Sequence, residues 1–306
     1  MHTEAGALHP TPPFDFARSL DFLRRFEPVR GEQAIAPGAL TKAVRIAGRT
    51  VVFRVTDAGG DVEAPRLAYT LFTATPIDAG LKAAAADRIA FFLSVADDLR
   101  PFYAVARDDP AFAPVVARLY GYHQVKFLTP FENAAWAVLA QRTALETAHA
   151  LKQRVLARFG GSLEVEGTVY RAFPEPAQLA EAGEAALAAA LGDARKAAYL
   201  HAAAEAFAGV DERFLRTGPF EMVEAWLQGI KGVGQWSSNF ILIRGLGRME
   251  RVPQGRALAA AIANVYGPVM SLEAAQRMVD RYGPYQGYWA HYLRTAGDLS
   301  AGKAIQ

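Results

Sequence analysis

The chain of 306 residues contains no cysteine. Without thiols it cannot form disulfides, iron–sulfur clusters or thiolate zinc sites, and it has no cysteine nucleophile. It also lacks an excess of either charge, because 33 Lys and Arg face 31 Asp and Glu and leave a formal net charge of +2. A basic field over the whole chain is therefore excluded, and any site for a polyanion must be a local patch.

Several signatures of other protein classes are also missing. Residues 1–13 do not show a basic start followed by an apolar run, and the most apolar stretch, residues 185–191, is far shorter than the ~20 residues of a membrane-spanning helix. The sequence has no phosphate-binding loop and no nucleophile elbow, and its 6 histidines show no metal-ligand spacing. We therefore expect a soluble cytoplasmic protein that uses no organic cofactor and no catalytic zinc.

The first third of the chain mixes helical and strand patterns. Hydrophobic residues make up 52% and charged residues 21%, which predicts a folded protein with room for two domains. Helical spacing over residues 14–26 and 83–93 flanks alternating β-rich runs that are separated by glycine-containing turns. The runs cover residues 43–47, 51–56 and 67–72. We predict an α+β domain over residues 1–107, with an antiparallel sheet and helices on one face.

The strand pattern nearly disappears after Pro110. Helical stretches then follow one another, separated by short glycine and proline signals of the kind that end helices. They cover residues 131–159, 176–191, 195–208, 220–228, 234–246, 257–266, 272–280 and 285–295. Residues 108–306 are therefore predicted to form an all-α region.

The most informative segment is LQGIKGVGQWSSN, residues 227–239. One helix ends, a Gly-Val-Gly turn follows, and a second helix begins beside two serines. Gly232 and Gly234 let the backbone approach a ligand closely, and free amides at a helix start favour a phosphate. The segment 231–256 also carries five cations and one acid, Glu250. The alternative interpretation is an ordinary turn between two helices.

The whole pattern resembles the helix-hairpin-helix of base-excision DNA glycosylases, in particular the DNA-3-methyladenine glycosylase II family. Other segments carry the same resemblance: PFEN at 130–133 with VLAQRT at 138–143, LGDARKA at 191–197, and YGPYQGYWA at 282–290. The family also has an antiparallel amino-terminal domain, so the resemblance covers essentially the full chain.

This resemblance implies a fold, a partner and a reaction. The helical core would have two lobes, residues 131–248 and residues 108–130 plus 249–306, with a cleft between them. The protein would be a monomer that binds double-stranded DNA, rotates a damaged base out of the helix and hydrolyses the N-glycosidic bond of an alkylated purine. The expected DNA contacts are Gln141, Arg142, Lys231, Gly232, Val233, Gly234, Gln235, Ser237 and Ser238. For Gln141 and Arg142, the alternative is a solvated helix end.

Two further sites follow from the same resemblance. Four aromatic side chains would line the base pocket: Trp236, Phe240, Tyr288 and Trp289. The alternative for each is an ordinary core position. The backbone carbonyls of Gln228, Ile230 and Val233 would hold a structural monovalent cation that bridges to a DNA phosphate.

The resemblance breaks at the position of the family's catalytic aspartate. The expected Pro-x-x-Asp element reads Pro253-Gln254-Gly255-Arg256, so an arginine stands where the carboxylate is expected. A carboxylate stabilises the positive charge that develops on the sugar and helps to activate water, whereas a guanidinium remains protonated and does neither. Three accounts remain open: residual glycosylase activity on labile cationic bases, a DNA or lesion binder without catalysis, and an acid supplied from elsewhere in the fold.

Overall fold

The computed structural model describes residues 1–252, 256–267 and 272–301. Its first part is a five-stranded antiparallel sheet with the strand order β1-β5-β4-β3-β2. The strands are β1 His2–Leu8, β2 Gln33–Ala36, β3 Ala39–Ile46, β4 Arg49–Asp57 and β5 Leu67–Thr73. Ala47 and Gly48, with φ of 50° and 75°, make the tight turn between β3 and β4, as glycine-containing hairpins require.

Fourteen α-helices lie in the described residues, and most of them follow the sheet. They are α1 Phe16–Arg25, α2 Ala79–Phe92, α3 Arg100–Arg107, α4 Ala113–Arg118, α5 Pro130–Leu139, α6 Leu145–Phe159, α7 Pro176–Leu191, α8 Ala194–Gly209, α9 Glu212–Thr217, α10 Phe220–Gln228, α11 Gln235–Phe240, α12 Arg256–Tyr266, α13 Leu272–Arg281 and α14 Gln286–Ala301. A π-helical turn, Ile241–Gly245, continues α11. The predicted class, an antiparallel α+β part followed by a helical core, is confirmed. None of the helices in these ranges combines the length and the apolar character that crossing a bilayer requires.

A second, small sheet lies inside the helical region. Its strands, β6 Gly161–Val165 and β7 Thr168–Ala172, form a hairpin. Val165 and Tyr170 pack with Val52 and Phe72 of the first sheet in a separate apolar cluster. The pattern after Pro110 does not predict this hairpin, because its strands are stabilised by packing on a distant part of the chain.

The helix predicted over residues 131–159 is two helices. Helix α5 ends at Leu139 and α6 begins at Leu145. Between them Arg142 has a φ of 49°, in the left-handed region that a residue with a side chain adopts only at a cost of about 1–3 kcal/mol. The chain therefore makes a tight, strained turn where helical periodicity predicts continuity.

Besides the small cluster under the β6–β7 hairpin, the described residues form two larger hydrophobic cores. The first combines the amino-terminal helices and sheet with the carboxyl-terminal helices, and it buries Phe22, Phe53 and Trp289 at 1%, 0% and 0% exposure. The second lies within residues 131–246, where Val138 and Leu200 are buried completely. Phe240 packs against both cores. The domain boundary at residue 107 stays a prediction.

Four buried charged side chains link the sheet region to α5 and α6. The Lys152 Nζ atom of α6 lies 2.6 Å from Glu132 Oε1 of α5 and 2.8 Å from Glu32 Oε1, just before β2. The Lys42 Nζ atom of β3 lies 3.4 Å from Glu32 Oε2, and all four side chains are at most 4% exposed. We call these four residues the buried charge cluster. Two positive and two negative charges balance, which is the condition under which buried ions are tolerated.

Candidate nucleic-acid interface

The hairpin between α10 and α11 is fixed by a short backbone turn. Gly232 has a φ of 89°, in the region that favours glycine. The Val233 amide donates to the Ile230 carbonyl at 2.9 Å. The Ile230 and Val233 side chains are 7% and 4% exposed and lie in the second core. The hairpin backbone is therefore held at the surface by its own two apolar side chains.

The turn between α5 and α6 lies directly against this hairpin. Thr129 caps α5 by accepting the Glu132 amide at 3.0 Å, so the start of that helix is well defined. Beyond its end, the Gln141 Nε2 atom donates to the Gly232 carbonyl at 2.7 Å and to Ser237 Oγ at 3.2 Å. The structure thus brings Gln141 and Arg142 together with the hairpin, although they are about ninety residues apart in sequence.

An open cleft of about 480 Å³ lies between the turn, the hairpin and the start of α8. Its lining is Gln141, Arg142, Arg195, Tyr199, Gln228, Gly229, Ile230, Lys231, Gly232, Val233 and Gly234. We call it the hairpin cleft. Three cations and no acidic residue line it, and within the described residues the side chains of Arg142, Arg195 and Lys231 have no hydrogen-bond or ion-pair partner. A surface with this charge favours an anion.

Most of the cations in the segment 231–256 do not face this cleft. Arg248 pairs with Glu250 at 2.6 Å, and Arg251 pairs with Glu221 at 2.5 Å. Arg244 is 6% exposed, with its guanidinium over the rings of Phe22 and Phe26. Burial lowers the pKa of Arg244 to about 10, which still leaves it protonated at neutral pH. Of the cations in this segment whose side chains the structure describes, Lys231 is the one that lines the cleft.

Arg195 and Tyr199 are part of the cleft but were not among the predicted site residues. Both lie on α8, which begins after Asp193, whose side chain accepts the Lys196 amide at 3.0 Å. The segment LGDARKA around Arg195 is one of those that resemble the glycosylase family, and this resemblance is a sequence signal that marks the segment. Nothing in residue type alone separates a cleft arginine from a solvated one.

The serines at the start of α11 face into the protein. Ser237 and Ser238 are 3% and 0% exposed. The Ser237 hydroxyl accepts from Gln141, and the Ser238 hydroxyl donates to the Gln235 carbonyl at 3.0 Å. The Gln235 side chain donates to Glu224 at 2.9 Å. These contacts brace the hairpin from within, and direct contact of these three residues with DNA stays a prediction.

Trp236 and Phe240 form a stacked aromatic pair beside the hairpin. Their ring centroids are 5.4 Å apart and their planes differ by 7°. Trp236 is 59% exposed, whereas Phe240 packs edge-on against Phe127 at 6.0 Å. An exposed aromatic face that is supported from below offers a stacking surface for a base.

Tyr288 and Trp289 lie elsewhere, in the first core. Trp289 is completely buried, stacks on Tyr282 and donates its indole hydrogen to the Tyr266 hydroxyl at 3.0 Å. The Tyr288 hydroxyl donates to Asp97, and burial raises its pKa well above the ordinary value. The structure therefore brings Trp236 and Phe240 together but does not place Tyr288 and Trp289 beside them.

The Arg256 side chain, with residues 253–255, lies outside the described residues. Helix α12 begins at Arg256. Glu250, the acid before it in sequence, is paired with Arg248. Throughout the part of the chain that the structure describes, no three His, Asp or Glu side chains are grouped as metal ligands. Of the three carbonyls predicted to hold a cation, that of Ile230 also accepts the Val233 amide.

The hairpin, the turn and the helical core define a known class of protein. Residues 135–280 match the family described as HhH-GPD superfamily base excision DNA repair protein. Residues 135–280 of the chain therefore carry an HhH-GPD domain. The predicted resemblance is thereby confirmed.

Particular relatives are DNA glycosylases. The chain is 30% identical over 151 residues to a DNA-3-methyladenine glycosylase of Bacillus subtilis, with 48% of this chain and 50% of the relative covered. The match thus spans about half the length of that curated relative. Among solved structures, the 3-methyladenine DNA-glycosylase of Archaeoglobus fulgidus is 19% identical, with a TM-score of 0.77 over 96% of this chain and 99% of that one. The 8-oxoguanine glycosylase/lyase of Clostridium acetobutylicum, in complex with double-stranded DNA, is 15% identical, with a TM-score of 0.69 over 98% and 99%. These two likenesses show the fold.

Proposed function

We propose that this protein binds double-stranded DNA and excises alkylated purines of the 3-methyladenine type. The observation that carries the proposal is the hairpin cleft, where Arg142, Arg195 and Lys231 surround exposed hairpin backbone without an acid. Phosphates are the anions that DNA presents to such a surface, and contacts to them carry no sequence information. The expected partner is therefore duplex DNA of any sequence.

The exposed Trp236 supports a role for a base outside the duplex. Alkylated purines such as 3-methyladenine carry positive charge, and a cationic ring is attracted to an aromatic face. The Trp236 face is exposed while Phe240 supports it from the other side. A base rotated out of the duplex near the hairpin would have a surface to stack on.

The substrate class is proposed from the relatives. The relative from Bacillus subtilis and the structural neighbour from Archaeoglobus fulgidus are both named for 3-methyladenine. Their positively charged substrates are good leaving groups, so rotation and positioning of the base lower the barrier even without a strong catalytic carboxylate. A chain with Arg256 at the aspartate position is expected to excise such labile bases slowly and to leave neutral bases in place.

A second candidate is a lesion-binding protein that has lost the chemistry. The observation that favours it is Arg256 itself, because a guanidinium next to a positively charged sugar is repulsive. Under this proposal the cleft and Trp236 still bind damaged DNA, and the bond to the base stays intact.

The hairpin cation belongs to the same proposal. Carbonyl oxygens have two lone pairs, so the Ile230 carbonyl retains one for a cation after it accepts the Val233 amide. The carbonyls of Gln228 and Val233 would complete the set. A monovalent cation there would supply positive charge toward a phosphate, and replacement of K⁺ by Li⁺ at equal ionic strength is expected to weaken DNA binding.

The test incubates the full-length protein with duplex DNA that carries methylated purines. Released bases are separated by chromatography, and abasic sites are counted by alkaline strand cleavage. Release of 3-methyladenine above the spontaneous rate, reduced in Trp236→Ala, supports the glycosylase. Tighter binding to damaged than to undamaged duplex without release supports the lesion binder. Equal affinity for both duplexes without release contradicts both.

A further inference from the structure

On one side, the turn between α5 and α6 that carries Arg142 is held by the ammonium group of Lys196. The Lys196 Nζ atom donates to the Leu139 and Gln141 carbonyls at 2.9 Å each, and it lies 3.4 Å from the Val138 carbonyl. The Leu139 carbonyl is at the end of α5, where the helix has no amide left to satisfy it, whereas the Val138 carbonyl also accepts the Gln141 amide at 3.3 Å. The positive charge also lies at the negative end of the α5 dipole.

The same turn is tied to the hairpin from its other side. Gln141 donates through its side chain to the Gly232 carbonyl, while its own carbonyl accepts from Lys196 and from the Thr143 hydroxyl at 2.8 Å. Gln141 is thus held at both ends. Arg142, the next residue, is exposed and keeps a left-handed backbone. Such a conformation persists only where its surroundings enforce it.

We propose that Lys196 is a positioning residue for Arg142, and that it fixes the turn so that the Arg142 side chain enters the duplex when a base leaves it. This inference rests on the proposed function. It separates two tasks within the hairpin cleft: the hairpin and the free cations bind the phosphates, and the turn held by Lys196 presents Arg142 to the bases.

The neighbouring Arg195 provides a matched control. Successive residues of a helix point about 100° apart, and here Arg195 lines the cleft while Lys196 reaches the α5 carbonyls. Both are cations at the start of α8 and both can be replaced by methionine with similar chain length. Loss of charge at either position is therefore the same change, and only the contacts differ.

The experiment measures binding by the full-length protein to three duplexes: an undamaged one, one with an abasic-site analogue, and one with 2-aminopurine beside that analogue. We expect Lys196→Met to bind the undamaged duplex within about twofold of the unaltered protein, because no phosphate contact is removed. Its preference for the abasic duplex should fall about tenfold, as loss of a charged hydrogen bond predicts. The 2-aminopurine fluorescence that reports unstacking should fall with it.

Two companion variants separate positioning from folding. Lys196→Gln keeps a donor for the carbonyls and should recover part of the preference. Arg195→Met should weaken all duplexes alike and reduce the slope of log affinity against log salt by about 1. Thermal unfolding of each variant is recorded alongside. If Lys196→Met is poorly folded, the same comparison is made with Lys196→Gln, which should then show a smaller loss of preference at unchanged affinity for undamaged DNA.

The outcomes distinguish this inference from the proposed function. If the unaltered protein prefers the abasic duplex and Lys196→Met keeps that preference and the fluorescence change, Lys196 does not position Arg142. An equal loss on all duplexes in Lys196→Met also contradicts the inference, because it makes Lys196 a phosphate contact. If the unaltered protein binds no duplex, the proposed function itself is wrong.

Discussion

The backbone of Gly232 lies so close to the ring of Tyr199 that a Cβ at position 232 would be 2.3 Å from that ring. With a φ of 89°, the position also favours glycine on conformational grounds. Gly234, two residues on, differs in both respects: a Cβ there would meet nothing within 4 Å, and its φ is −94°. The two glycines of the hairpin therefore have different tasks, one in packing and one at the open surface.

The first prediction concerns this pair. Gly232→Ala should lower the free energy of unfolding by about 1–3 kcal/mol, because it adds strain and a clash with Tyr199. Gly234→Val should leave stability within about 0.5 kcal/mol, as at most surface positions. It should weaken binding to duplexes of every sequence alike, because it holds the backbone away from a phosphate. Chemical unfolding and binding titrations at two salt concentrations check both results. A folded Gly234→Val that binds DNA normally would make the hairpin a structural turn only.

The second prediction concerns Trp236. Because its side chain is 59% exposed, Trp236→Ala should cost little stability. Stacking of a base on an aromatic ring contributes about 1–3 kcal/mol, so affinity for damaged duplex should fall about tenfold or more while affinity for undamaged duplex changes little. Trp236→Phe should recover part of the loss. If Trp236→Ala weakens binding to damaged and undamaged duplex equally, Trp236 contacts the DNA backbone and does not stack on a base.

The third prediction concerns the buried charge cluster. Lys152→Met leaves two buried carboxylates with one lysine, so the free energy of unfolding should fall by about 3–5 kcal/mol. The double variant Lys152→Met/Glu132→Gln removes one charge of each sign and should recover part of this. The exposed pair of Arg24 and Asp21 serves as the control, where Arg24→Met should cost at most about 1 kcal/mol. Similar losses in both single variants would show that the cluster is not energetically coupled.

The same cluster predicts a pH dependence. Burial alone would raise the pKa of Glu32, but Lys152 and Lys42 lower it below the ordinary 4.5. Burial alone would lower the pKa of Lys152, but Glu132 and Glu32 raise it above 10.5. The contribution of Glu32 is therefore present above about pH 4.5 and lost as pH falls through its lowered pKa, whereas that of Lys152 is lost only as pH rises above 10.5. In the unaltered protein, the free energy of unfolding should decrease as the pH is lowered from 8 to 3. In Lys152→Met this decrease should be smaller.

Much of the local structure follows from the sequence pattern. Helix α10 begins and ends where periodicity and the flanking proline and glycine predict, at Phe220–Gln228. Helix α7 has the predicted bounds, Pro176–Leu191, but Gly183 interrupts it with a φ of 77°. The hairpin of Gly232 was equally visible, because its glycine spacing is local information. Patterns of this kind depend on residues a few positions apart, and these the sequence displays directly.

The parts that were not predictable depend on distant contacts. The strands β6 and β7 are stabilised against Val52 and Phe72, so their own sequence is a weak signal. Beside the break at Arg142, Lys196, 54 residues further on, donates to the Leu139 and Gln141 carbonyls, a contact that local periodicity does not display. The place of Trp289 in the core depends on its contacts with Tyr266 and Tyr282, and that of Tyr288 depends on Asp97 and Phe102. Aromatic residues at helical spacing do not reveal which surface they will face.

The last prediction concerns Arg256, which we propose stands at the position of the family's catalytic aspartate. If the pocket has lost its acid and kept its shape, Arg256→Asp should raise the excision of 3-methyladenine or 7-methylguanine. A positioned acid or base is worth a factor of about 10² to 10⁴ in rate. The same change removes a cation, so binding to undamaged duplex should weaken modestly. The rate of excision is measured as the release of methylated bases over time. Protein concentrations above the dissociation constant keep the weaker binding from affecting this rate.

The unaltered protein in the same assay decides between the two proposed functions. A glycosylase with Arg256 excises the labile, positively charged 3-methyladenine slowly and leaves hypoxanthine in place, because only the charged base departs readily without a carboxylate. A lesion binder releases neither base, and its affinity for an abasic duplex depends on Arg256.

Arg256→Asn is the control for Arg256→Asp, because it removes the positive charge without adding a carboxylate. An equal gain in excision by the Asp and Asn variants would show that the gain comes from loss of repulsion. A folded Arg256→Asp protein with no gain on any alkylated base would place Arg256 outside the pocket, because a carboxylate acts only where it reaches the developing charge on the sugar.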